Sequence, residues 1–340
     1  MMKANFLSDY LTDFLLDFLP QSKGRSNNTI KSYAFAFMLF FEYMKEVKNI
    51  KAERIKLEDV KSDLVVDYLK WLKTERNCSN RTINQRRAAI TSFADFIIYK
   101  CPEFSGIYRS VIAVPQIKTE EKAISYLSLN GIKLLLKQPN TNTKSGLRDL
   151  CLLHVMFETA ARVQEVIDLT PSSVRLSGEI STILLHGKGN KVKTVPVSDD
   201  VSDILKTYME SVGLDGQENL QKPLFPNKQG GKLSRNAVNN ILVKHADAAR
   251  KINPSLVPEK LSCHSIRHSK AMALIEKGVE LIHIRDFLRH KSVRTTEIYA
   301  KVNPKFNFEA IKKAYENVNE VVPRWKGDKG IMDMLRKLSK

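Results

Sequence analysis

The sequence predicts a mainly α protein, with an N-terminal helical bundle followed by a mixed α+β domain holding a small antiparallel sheet. Three observations carry this. Apolar residues recur at helical spacing in four stripes over the first hundred residues. The pattern lapses from Ile112 to Ser125, where IAVPQIKTEEKAIS has a proline, mixed charge and no period. One β-hairpin signal then interrupts the helical text of the second part. A length of 340 residues fits two domains, at roughly 100–200 residues each. The expected boundaries are 1–112 for the bundle, 113–125 for a linker, 126–318 for the second domain and 319–340 for a basic tail.

In chain order, the first stripe is Leu7, Leu11, Phe14, Leu15 and Phe18, and the second is Ile30, Tyr33, Phe37, Phe40 and Met44. Val65, Leu69 and Leu72 make the third. Ile83, Ile90, Phe93 and Ile97 make the fourth, with Asn80 as the expected N-cap. Four such helices close over one core. In the second part, 128–137 and 144–160 read as helices. STILLHGKGNKVKTVPVS (181–198) has β-favouring runs on both sides of Gly187-Lys188-Gly189-Asn190. Helices are expected near 200–212, 234–250 with Ser234 as its cap, 264–278, 280–289 and 293–301. A further one, FEAIKKAYENV, follows Pro304, and the tail PRWKGDKGIMDMLRKLSK carries six basic and two acidic residues.

Composition narrows the function. The chain is 43% hydrophobic and 27% charged, as globular proteins are. No apolar run is long enough for a transmembrane helix, which needs about 20 residues. The aspartates in MMKANFLSDYLTDFLLDFL make it a poor secretory signal, so a cytoplasmic location is expected. The four cysteines, Cys78, Cys101, Cys151 and Cys263, form no CxxC pair and read as reduced thiols. The formal net charge is +18. Residues 1–126 hold 20 basic and 15 acidic side chains, and the remainder holds 35 and 22. That excess points to a polyanion, most simply nucleic acid. Lys31, Arg81, Arg86 and Arg87 lie on polar helix faces and are candidate phosphate contacts, as are Lys193, Arg235 and Arg289.

Several polar residues stand where a core pattern would not put them. Arg162 and Glu165 follow FETAAR, Lys188 tops the hairpin, and His264 and Arg267 share a helix face. His290 follows Phe287-Leu288-Arg289, and Tyr299 comes nine residues later. In this order they resemble the catalytic set of the tyrosine recombinase (phage integrase) family, including its Xer-like and mobile-element members. TAARVQEVIDL, LHGKGNKVKTVPV and CHSIRHSKAMALIEKGVELIHIRDFLRHKSVRTTEIYAKV resemble the family's first arginine box, hairpin lysine motif and second box. NNTIKSYAFAFMLFFEYM and NRTINQRRAAITSF are similar to its SAM-like core-binding domain, so the resemblance spans about residues 5–318. It departs at Arg289, where the family usually has glycine, at Lys193, where arginine is common, and at Lys270.

The chemistry needs these residue types. Tyr299 can be a covalent nucleophile. Arg162 and Arg267 can grip the non-bridging oxygens of a phosphodiester with forked donors. His264 and His290 can add donors or move protons. The resemblance implies that Lys188 is the general acid for the leaving 5′-oxygen, and it suggests His264 as the base for Tyr299. Glu165 is expected to orient Arg162 from behind. The resemblance further implies double-stranded DNA with inverted half-sites as partner, a homodimer on one site, and a homotetramer in synapsis, with or without a paralogous recombinase. No cofactor and no metal is expected. Three other readings stay open: a zinc site at Cys263, His264 and His268; a non-catalytic DNA-binding regulator on the same scaffold; and a type IB topoisomerase-like nicking-closing enzyme.

Overall fold

The computed structural model describes residues 5–120, 123–176, 178–187, 191–290, 292–293, 296–299 and 329–339. Two compact units result, Met1–Lys122 and Ala123–Lys340.

Among its described residues the first unit is helical, apart from one antiparallel bridge between Phe6 and Lys56. Helix α1 (Leu7–Asp13) continues into a π-wound stretch, Phe14–Ser22, that carries Pro20. α2 spans Asn27–Val47, α3 Ser62–Thr74, α4 Asn80–Lys100 and α5 Ser105–Ala113. Phe14, Phe37 and Phe93 meet edge to face at the centre, with ring centroids 5.2–6.1 Å apart. The cap of α4 is Ser79, one residue before Asn80. Its side chain accepts the Thr82 N–H at 3.3 Å. Asn80 instead donates to the Lys118 carbonyl at 2.9 Å. Asn84 accepts the Ile117 N–H and donates to the Ile117 carbonyl. The stretch read as an exposed linker is therefore bound along α4 as far as Lys118.

Two of the candidate phosphate contacts hold bonds within the bundle. Arg87 donates to the carbonyls of Val114 at 2.6 Å and Ile112 at 3.0 Å. Arg86 donates to the Ser32 carbonyl at 3.2 Å and stacks over the Phe35 ring, 4.7 Å from its centroid. Arg87 thus joins α4 to the end of α5, and Arg86 joins α4 to α2. Lys31 and Arg81 are exposed, as a phosphate contact requires.

The second unit begins with α6 (Leu129–Leu136), α7 (Lys144–Thr159) and the short α8 (Val163–Ile167). Three antiparallel strands follow in the order β1 (Val174–Arg175), β2 (Thr182–Gly187) and β3 (Lys191–Pro196), with Leu185 opposite Lys193. Ile183, Leu185 and Val195 turn into the core, where they meet apolar residues of α7, α9 (Asp199–Val212) and α10 (Arg235–Ile252). Ser234 caps α10 by accepting the Ala237 N–H, as the sequence predicts. α11 (Cys263–Glu276) and α12 (Leu281–Leu288) hold a smaller cluster with Ala160 and Tyr299. Residues 296–299 are helical, and α13 spans Lys329–Leu338. Lys188 at the hairpin tip, the helix expected after Pro304 and the first part of the basic tail lie outside the described residues. Among those described, no helix is long and apolar enough to cross a membrane.

Candidate active site

Arg267 is the centre of the site. It projects from the second turn of α11 and is 3% exposed. Its Nη1 donates to the Ala160 carbonyl at 2.6 Å, and its Nη2 donates to the Leu288 carbonyl. These carbonyls belong to two helix ends, α7 and α12. Each end is closed by a residue in the left-handed region, Ala160 at φ 48° and Arg289 at φ 52°. Strained backbone of this kind marks functional sites. One guanidinium thus ties both turns together, while its Nε is buried without a hydrogen-bond partner. Burial lowers the guanidinium to about 10, and the nearby Arg162 adds to that.

Arg162 stands just before α8, with 46% of its side chain exposed. Glu165, buried, holds it twice. Oε2 accepts the Arg162 backbone N–H at 2.8 Å, and Oε1 accepts Nη1 at 3.0 Å. The carboxylate caps the helix and fixes the arginine in one contact set. A pocket of about 270 Å³ opens beside them, lined by Arg162, Gln164, Arg235, Cys263 and His264 among others. Arg235 is exposed and donates one N–H to the Gln164 side chain at 2.9 Å.

Tyr299 is 1% exposed, with its ring among Ala160, Met272, Ile284 and Leu288. Its hydroxyl lies 2.8 Å from Nδ1 of His268. His264, which the resemblance suggests as its base, is exposed on the same face of α11 and meets the edge of the His268 ring at 4.4 Å. The imidazole bonded to the tyrosine is therefore the neighbour one turn further on. His290 stacks beside the Tyr299 ring at 6.3 Å and shares a hydrogen bond with Thr296 at 3.0 Å. Burial pushes the Tyr299 phenol up to about 12, and Arg267 opposes that. His268 and His290 are each pushed down to about 4, first by burial and then by cationic and imidazole neighbours. Both rings are neutral at pH 7.

Two further cations crowd the site. Lys193, expected on DNA, turns inward: Nζ donates to the Phe287 carbonyl and lies 3.9 Å from the Phe287 ring centroid. Burial, then Arg267 and Arg289, lowers it to about 8. It anchors β3 to the last turn of α12. Arg289 is half-buried, and its Nη1 has no hydrogen-bond partner. The departure at Lys270 is used structurally, since its ammonium pairs with Glu158 at 3.1 Å over the Phe157 ring. Among the described residues, no group of three or more His, Cys, Asp or Glu side chains is placed to hold a metal ion.

Arg162, Glu165, His264, Arg267, His290 and Tyr299 thus come together from the start of α8, from α11 and from the stretch after α12. His268 and Thr296 are the members that the sequence order did not single out. The phage integrase family model matches residues 125–305, and the model of its N-terminal SAM-like domain matches 12–100. The chain belongs to the phage integrase family. A Sinorhizobium fredii protein described as an integrase/recombinase is 30% identical over 281 residues, covering 83% of this chain and 83% of its own length. Tyrosine recombinase XerD of Staphylococcus saprophyticus is 29% identical over 303 residues, covering 89% of this chain and 95% of its own. Two solved structures share the fold. The XerH site-specific recombinase bound to palindromic difH substrate has TM-score 0.67 and 23% identity, covering 83% of this chain and 78% of that one. The Tn1549 transposon integrase in complex with transposon right end DNA has TM-score 0.67 and 13% identity, covering 90% and 98%. The tyrosine recombinase reading of the sequence and its mainly α, two-part fold both hold.

Proposed function

We propose that this phage integrase family chain is a site-specific recombinase that cuts and rejoins double-stranded DNA through a 3′-phosphotyrosine on Tyr299. One observation carries the reading: a buried phenol whose hydroxyl is hydrogen-bonded within a cluster of cations and neutral imidazoles. Phosphodiester displacement builds negative charge on non-bridging oxygens. Pre-set guanidinium donors stabilise that charge. Arg267 has donors left after its two carbonyl bonds, and Arg162 is held by Glu165 with most of its fork free. His264 and His290 supply further donors. Lys188 protonates the leaving 5′-oxygen. Lys31, Arg81, Arg235 and Arg289 contact the phosphate backbone.

The freed 5′-hydroxyl of a partner strand then attacks the phosphotyrosine. Exchange runs one strand pair at a time through a Holliday junction. Inverted half-sites bind a homodimer, and two dimers form the synaptic tetramer. Bond energy is kept in the phosphotyrosine, so the reaction needs neither ATP nor an added metal. The fold relatives determined with recombination-site or transposon-end DNA support DNA as the partner.

A nicked substrate that loses its short leaving strand traps the intermediate. Wild-type protein should give a protein–DNA adduct on a denaturing gel. Tyr299→Phe should bind the same DNA and give none. An adduct at wild-type level from Tyr299→Phe would refute the reading. DNA binding by the wild type with no adduct would favour the regulator instead.

A further inference from the structure

We propose that His268 is the base that takes the proton of Tyr299 during cleavage and returns it during rejoining. The inference rests on Tyr299 being the nucleophile. The first observation is geometric: Oη and Nδ1 are 2.8 Å apart, within the reach a general base requires. The second is burial. Tyr299 is 1% exposed, so bulk water does not meet its proton, which must pass to a neighbouring side chain. The third is the company of the two groups. His264, the other imidazole on this face of α11, touches the His268 ring and not the phenol. His290 presents its ring face to Tyr299 and spends Nδ1 on Thr296. Glu165, the carboxylate of the site, is committed to Arg162.

The proton balance is simple. With its ring proton on Nε2, His268 accepts the phenolic hydrogen at Nδ1. The Oη–H bond breaks, Nδ1–H forms, Oη bonds to phosphorus, and the bond from phosphorus to the 5′-oxygen breaks. The 5′-oxygen takes its proton from a separate donor, Lys188 in the reading above. Rejoining reverses each transfer, and the imidazolium hands its proton back to the departing Oη.

Electrostatics makes this step depend on substrate. The groups acting on His268 are His264 and Arg267 on α11 and His290 beyond α12. Arg162, Arg289 and Lys193 crowd the same cations in turn. Burial, His264, Arg267 and His290 oppose a charged His268, so without DNA the phenol keeps its proton. A phosphodiester bound between the arginines brings a negative charge that offsets them. The base is then armed by the DNA it acts on.

The experiment measures single-turnover cleavage of the nicked substrate against pH, with full-length wild type, His268→Asn and His268→Ala. Asparagine keeps a polar atom near Nδ1 but cannot carry the proton. Loss of a general base costs about 10²–10⁴ in rate. His268→Asn should fall by that much at pH 7, and its rate should then climb in step with hydroxide where the wild type is flat. Added imidazole should restore His268→Ala in part. A 5′-bridging phosphorothiolate, which needs no leaving-group proton, should rescue neither variant. Cleavage by His268→Asn at or above the wild-type rate, or a slower rate with an unchanged pH profile and no response to imidazole, would overturn the assignment. Wild type and Tyr299→Phe run alongside. If Tyr299→Phe still cleaves, the nucleophile itself is misassigned; if only the His268 results fail, the base alone is.

Discussion

Arg267 does two jobs with one side chain. It fixes two helix ends through their carbonyls, and it faces the site with what is left of its fork. Those ends are strained, because Ala160 and Arg289 sit where glycine is at ease. Ala160→Gly should therefore stabilise the protein by about 0.5–1 kcal/mol, since a left-handed Cβ costs more than glycine's extra unfolded freedom. Chemical denaturation of both proteins tests this, and a lower midpoint for the glycine variant would contradict it. At this scale the sequence was legible where residue type and order coincide with chemistry. Arg162, His264, Arg267, His290 and Tyr299 were all named from it. His268 entered only as a candidate zinc ligand, because its place beside Tyr299 carries no signal until the fold brings the phenol to its Nδ1. The carbonyl bonds of Arg86, Arg87 and Lys193 were not legible, because a sequence does not say which carbonyls a basic side chain will find.

In the proposed reaction, proton delivery to the leaving group falls to the hairpin. β2 and β3 are in regular antiparallel register up to Gly187 and Lys191. Lys193 pins β3 to the end of α12 and so holds the base of the hairpin against the segment that leads to His290. Lys188→Ala should cleave ordinary DNA roughly 10²–10⁴ times more slowly, as expected for a lost general acid. It should recover on the 5′-phosphorothiolate substrate. Equal defects on both substrates would make Lys188 a binding residue. The main helices and the hairpin could be read from periodicity. β1 could not, since two residues show no alternation, and α5 could not, since its burial of Tyr108 and Val111 follows from packing on α3 and α4 rather than from a long stripe.

For the whole molecule, the buried site makes stability depend on pH. His268 and His290 have folded-state values near 4, below the ordinary value of about 6.5. The unfolded chain therefore binds these protons first as pH falls, and the fold loses stability between about 6.5 and 4. Thermal melts of DNA-free protein should show a falling Tm across that window, and His268→Asn with His290→Asn should flatten the curve. An equal slope in the double variant would show that other groups control it. The charge excess, the two-part organisation and the mainly α class were legible from composition and period. The docking of Val114–Lys118 on α4 was not, because it depends on side-chain amides of Asn80 and Asn84 meeting backbone groups more than thirty residues away.

The cleavage predictions depend on Tyr299 carrying the DNA. The most direct measurement is to digest the trapped wild-type adduct with trypsin and locate the nucleotide by mass spectrometry. The account predicts a nucleotide on Tyr299, in the peptide that runs from residue 295 to residue 301. A nucleotide on any other residue would contradict it.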